Sequence, residues 1–300
     1  MRVSYSPGYY ATIPNEHIFP MGKFEGLYRY LLDKEILSDY QIIEPKMIDF
    51  INLLTVHTSR YSNAVWNGTL DKKEIRRMGL PWTKSLASRS RLAVQGTLNA
   101  GIMALQDGIA GNLAGGTHHA MPDWGEGFCV YNDVAVAIKV LQQSMWINKA
   151  LVIDCDVHQG NGTAEIFKDD DNVFTYSIHG EKNYPFKKPP SNMDIGLPDK
   201  TSDKEYHKRL IESLDSVFHS FKPDIVYYLG GIDPLETDHF GRLSLSLKGL
   251  RERDRIVIET VTQKEIPLVL LLSGGYAPTL EQTVIAHAQM FEVANNLMSN

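Results

Sequence analysis

Four short apolar runs constrain this chain more than any other feature: Ala150-Leu-Val-Ile153, Val173-Phe-Thr-Tyr-Ser-Ile178, Ile225-Val-Tyr-Tyr-Leu229 and Leu268-Val-Leu-Leu-Leu272. A strand with one wet face alternates apolar and polar side chains. These runs do not, so they are expected to be buried on both faces, as in a parallel sheet covered by helices. Amphipathic stretches lie between them. Asn132–Met145 opens on an Asn that can cap it, and Tyr206–Phe221 sets Leu210, Leu214, Val217, Phe218 and Phe221 on one stripe. Leu250–Gln263 and Glu281–Met298 read the same way. Strand, helix, strand, helix predicts an α/β fold: a central, mostly parallel sheet flanked by helices. Upstream, Lys23–Leu32 and Lys84–Gly101 read as helices in an otherwise irregular stretch. No repeat or flexible linker divides the chain, so residues 1–300 are expected to form a single domain.

Charge and cysteine content narrow the function. The net charge is -6, which lacks the basic footprint of a nucleic-acid binder. Cys129 and Cys155 each lie in an apolar stretch and read as reduced core thiols rather than a disulfide framework. The longest pure apolar run, Pro267–Leu272, is far too short to span a bilayer, and the N-terminus carries no apolar signal core. A cytoplasmic protein without a membrane span or direct nucleic-acid contact is expected.

In α/β sheets, ligands bind beyond the carboxyl ends of the strands. Here five such ends carry chemistry among glycines. Ile109–Leu113 leads into Gly115-Gly-Thr-His118-His119, and 150–153 into Asp154-Cys-Asp156-Val-His158-Gln-Gly-Asn161. The others lead into Ser177-Ile-His179, into Gly-Gly-Ile-Asp233, and into Ser273-Gly-Gly-Tyr276. In an extended segment Asp154, Asp156 and His158 share a face. That pattern fits a metal site, a buried ion-pair network or a helix cap. Asp233 on another strand end favours a divalent ion on Asp156, His158 and Asp233, three protein ligands with one position left open. His118 and His119 beside it offer a general base and a general acid, with Asp154 and Asn161 available to orient them. Tyr276 is either an interfacial phenol or a donor to an oxyanion.

Taken in order, Gly-Gly-Thr-His-His-Ala, Gly127-Phe128-Cys129, Asn132-Asp133, Asp-x-Asp-x-His-x-Gly-Asn-Gly, Gly-Ile-Asp233 and Ser-Gly-Gly-Tyr276 resemble the zinc-dependent histone deacetylase family. His17-Ile-Phe-Pro-Met-Gly-Lys23 is similar to that family's N-terminal motif, so the likeness runs over nearly the whole chain. The resemblance implies an arginase/deacetylase-type fold and one zinc ion on Asp156, His158 and Asp233. It implies His119 as base, His118 as its partner oriented by Asp154, Asn161 on His119, and Tyr276 as oxyanion donor. It also implies a substrate tunnel walled by Gly127 and Phe128, with Phe186 or Tyr184 facing them and Phe240 and Gly275 adding contacts. A potassium ion is implied near Asp154, Asp156, His158, Ser177 and Ile178, partly through main-chain oxygens. Gln159, where many members carry a second His, is closest to the class IV branch, some of whose members prefer long fatty-acyl chains.

The expected activity is hydrolysis of acetyl or longer acyl groups from lysine side chains in a protein or peptide. One alternative keeps the chemistry and takes a small acylated amine such as an acetylpolyamine; an acidic rim of Asp123, Glu126 and Asp238 would favour it. A two-manganese ureohydrolase needs a second well-placed Asp after Asp233, and the sequence has Pro-Leu-Glu there. A non-catalytic acyl-lysine binder would have lost a ligand or the phenol.

Overall fold

The computed structural model describes residues 1–14 and 16–298. Its framework is one sheet of eight parallel strands: β1 (Arg2–Ser4), β2 (Ile42–Ile43), β3 (Ile109–Asn112), β4 (Ala150–Asp154), β5 (Val173–Gly180), β6 (Met193–Leu197), β7 (Ile225–Leu229) and β8 (Leu268–Leu271). Their order across the sheet is β2-β1-β3-β8-β7-β4-β5-β6. The four apolar runs form β4, β5, β7 and β8, and every residue of β4, β7 and β8 is buried. Three strands were not anticipated. β1 and β2 are too short to show a period, and the edge strand β6 alternates half-buried and exposed positions.

Ten helices lie among the described residues: α1 (Lys23–Asp33), α2 (Phe50–Leu53), α3 (Ser59–Asn67), α4 (Lys72–Met78), α5 (Lys84–Asp107), α6 (Asp133–Gln143), α7 (Asn161–Phe167), α8 (Asp203–Ser220), α9 (Leu247–Thr262) and α10 (Leu280–Met298). β3 shows how they cover both faces. Asn112 turns to α5, where its amide donates to Ala93 O and Thr97 Oγ1. A Cβ on Gly111, which points the other way, would meet Phe291 of α10 at 2.8 Å. The Asn132 side chain accepts from Ala135 N–H at 3.0 Å and so caps α6, an interaction of about 1 kcal/mol. Thr83 caps α5 through Leu86 N–H in the same manner. No described helix is long and apolar enough to cross a membrane.

The topology decides where chemistry can occur. The central strands β3, β8, β7 and β4 are neighbours, so the segments leaving their carboxyl ends converge although they lie far apart in sequence.

Candidate active site

The turn after β3 is held by one buried side chain. The Asp133 carboxylate, at the first turn of α6, accepts from Gly116 N–H at 3.0 Å and Thr117 N–H at 2.7 Å. That fixes the path into His118 and His119. After β4 the chain must pass close to His118: a Cβ on Gly160 would lie 2.4 Å from Asp154 Oδ2. Glycine is the residue that fits.

Asp156, His158 and Asp233 form the one group of three His, Cys, Asp or Glu side chains, among the described residues, whose ligand atoms all lie within 4.8 Å of one another. His158 Nδ1 is 3.0 Å from Asp156 Oδ1 and 3.3 Å from Asp233 Oδ2. Donors on a tetrahedral zinc, with bonds near 2 Å, stand roughly 3.3 Å apart. The spacing fits such an ion. So does the charge pattern: Asp233 Oδ2 is buried without a hydrogen-bond partner. Burial and the neighbouring Asp156 push the Asp233 carboxyl up to about 7. The other oxygens are engaged. Asp156 Oδ2 accepts from Ser273 Oγ and Gly274 N–H, and Asp233 Oδ1 accepts from Val157 N–H.

The two histidines have unequal partners. His118 Nδ1–H donates to Asp154 Oδ2 at 2.6 Å, whereas His119 Nδ1 meets the Asn161 amide oxygen at 2.6 Å. Burial acts to lower His118, but Asp154 and Asp156 outweigh it and hold the imidazole at about 9. Burial lowers His119 well below the usual range, and the charges of His118 and His158 add to the effect. The two rings are therefore pushed in opposite directions, His118 toward its cationic form and His119 toward its neutral one.

These groups open into a cavity of about 390 Å³. Tyr276 lines it, with its ring against Phe240, Phe128 and Phe19 at centroid distances of 4.9, 5.7 and 6.3 Å. Burial keeps the phenol far above its ordinary range, so it stays a donor. Gly127, Phe128, Tyr184 and Phe240 also line the cavity. Phe128 holds a left-handed φ of 66°. Two expectations are corrected. Phe186 is 92% exposed and is no part of the wall; Tyr184, drawn inward by its bond to Glu126, stands there instead. Gly275 backs onto Ile232 and His287 rather than the cavity.

Asp154 and Ser177, named for potassium, lie opposite each other on β4 and β5. Their side-chain oxygens are taken by His118, Asp156 N–H and His179.

Among the lining residues outside the sequence reading of the site, two are buried cations. Lys23 and Arg89 are 2% and 5% exposed, and neither forms an ion pair among the described residues. Lys23 Nζ donates to Ser273 O and Arg89 Nε to Tyr9 O, and both cations rest on the rings of Phe19 and Phe24. Burial lowers Lys23 to about 8. Lys23 closes the N-terminal motif; nothing in the sequence set Arg89 apart from other helix arginines.

Residues 17–291 match the histone deacetylase domain family. A protein of Picosynechococcus sp. is 40% identical over 295 residues, 98% of both chains. Histone deacetylase 2 of Arabidopsis thaliana is 29% identical over 92% of this chain and 74% of its own. The crystal structure of an HDAC homolog from Aquifex aeolicus superposes with a TM-score of 0.80 at 25% identity, over 100% of this chain and 88% of that one.

Proposed function

The chain belongs to the histone deacetylase family and is a hydrolase of that family, and on this premise we propose that it hydrolyses the side-chain amide of acylated lysine in peptides or proteins, with acetyl preferred. One observation carries the reading. A trio fit for a divalent ion, two imidazoles with unequal partners (a carboxylate on His118, an amide on His119), and a phenol share a single cavity.

A zinc ion on Asp156, His158 and Asp233 would supply a Lewis acid that polarises the amide carbonyl and acidifies water beside it. The other roles belong to the chain's own groups. His119 is neutral and takes the proton as water attacks the carbonyl carbon. It then gives that proton to the nitrogen as the C–N bond breaks, leaving a carboxylic acid and a free amine. His118, paired with Asp154, stays charged and stabilises the growing negative charge. The Tyr276 hydroxyl donates to the same oxyanion. The substrate stem lies between Phe128 and Tyr184.

Lys23 and Arg89 support a short acyl group. A long chain would press hydrocarbon onto two buried cations, whereas acetate leaves as an anion that they favour. A monovalent cation near Asp154 and Ser177 belongs to the same reading and would rest on main-chain oxygens. The small-polyamine alternative wants free carboxylates at the mouth. Glu126, Asp123 and Asp238 are instead occupied by Tyr184, Arg60 and backbone N–H groups.

The test is kcat/KM on matched peptides carrying acetyl-lysine or myristoyl-lysine, with an acetylpolyamine alongside. The acetyl peptide is expected to lead. Preference for myristoyl would overturn the short-acyl reading, and turnover of the polyamine alone would overturn the lysine substrate.

A further inference from the structure

Glu126 stands one step behind the histidine base. Three donors converge on its carboxylate. The Tyr184 hydroxyl and, at 3.2 Å, Asn161 Nδ2 donate to Oε1, and Trp124 Nε1 donates to Oε2 at 2.9 Å. A carboxylate only accepts, so it satisfies all three. Asn161 has one amide to share between two neighbours. With its NH₂ turned to Glu126, its carbonyl faces His119. That carbonyl also only accepts, so the hydrogen of the neutral ring sits on Nδ1 and the lone pair on Nε2.

We propose that Glu126 is a positioning residue: by accepting from Asn161 it orients that amide and sets the tautomer in which His119 can act as a base. Without it the Asn161 amide is free to sit either way round. Turned the other way, it would donate to Nδ1, put the hydrogen on Nε2 and leave no lone pair for the reaction. The same carboxylate holds Tyr184, whose ring meets that of His119 edge-on at 5.2 Å. Base and cavity wall are thus keyed to one group. The inference rests on the hydrolase reading, in which His119 Nε2 takes the proton.

Glu126→Leu keeps much of the bulk of the side chain but removes both acceptor oxygens, so neither Asn161 nor Tyr184 finds an acceptor there. The experiment combines ¹⁵N–¹H NMR of the imidazoles, in zinc-loaded protein at neutral pH, with steady-state kinetics on the acetyl peptide. His119 is expected to leave the Nδ1–H pattern, and kcat to fall about 10- to 100-fold with KM within about twofold. Asn161→Asp added to Glu126→Leu sets an acceptor-only group directly on the ring and restores the Nδ1–H pattern. Trp124→Phe removes a donor on the far oxygen and leaves the pattern and kcat unchanged. Should Glu126→Leu fail to fold, Glu126→Ala carries the same expectation. An unchanged Nδ1–H pattern in the folded variant overturns the proposal, as does an equal loss in Trp124→Phe. The NMR arm needs no substrate, so an inactive wild type would count against the hydrolase reading alone.

Discussion

Removing one oxygen from Tyr276 separates catalysis from architecture. The ring is 7% exposed and wedged among Phe19, Phe128 and Phe240, and its backbone N–H is held by Asp238 Oδ2 at 2.7 Å. Among the described residues, the hydroxyl makes no hydrogen bond. Tyr276→Phe therefore keeps every packing contact and orphans no partner. Its effect on folding should stay within about 0.5 kcal/mol. Its effect on turnover should be large. Deleting one oxyanion donor costs about 2.7–4 kcal/mol of barrier, a fall in kcat of roughly 10²- to 10³-fold. KM should change little, because the bond strengthens only as charge develops. The assay is steady-state hydrolysis of the acetyl-lysine peptide, with a thermal melt of the same sample. A kcat within tenfold of wild type at an unchanged melting temperature would refute the role given to the phenol. A large drop in melting temperature would refute the claim that the hydroxyl has no structural work.

Two further predictions follow from the geometry. Gly274→Ala would bring a Cβ to 2.2 Å from Asp233 Oδ2 and 2.6 Å from Asp156 Oδ2. Zinc affinity, measured by chelator competition, should fall about 10- to 100-fold, and an unchanged affinity would contradict the proposed ligand set. His57 concerns stability. Burial, opposed by backbone contacts with Met121 and Pro122, lowers its imidazole from 6.5 to about 4. Between those values the unfolded chain binds the extra proton, so stability rises with pH. The contribution is full above 6.5 and is lost as pH falls toward 4. His57→Gln should flatten the unfolding free energy over that window by up to about 1.4 kcal/mol per pH unit, and parallel curves would contradict the assignment.

The legible part of the fold was the part buried on both faces. β4, β7 and β8 read directly because no residue in them meets water. β6 was hidden because its alternate residues do meet water at the sheet edge. In the site, the groups at strand ends were legible because a short spacing such as Asp156 to His158 keeps two ligands together at one strand end, although β4 stops at Asp154 and residues 156–158 bend rather than alternate along an extended strand. Groups brought in from elsewhere were not. Lys23 and Arg89 reach the cavity from α1 and α5, far from the turns they meet. Glu126 reads as a rim acid in sequence, and only its three donors in space show what holds it. The tunnel aromatic was narrowed to two residues, and the choice fell to Tyr184 because it has a hydroxyl to anchor and Phe186 does not.

The central claim is amide hydrolysis dependent on a metal at Asp156, His158 and Asp233. The most direct measurement is kcat/KM on the acetyl-lysine peptide against bound zinc, from chelated protein through stepwise return of the ion. The account predicts no activity without zinc and a linear recovery that ends at one equivalent per chain. Asp233→Ala should neither retain the ion nor recover. Activity that survives full chelation, or a recovery that Asp233→Ala shares, would contradict it.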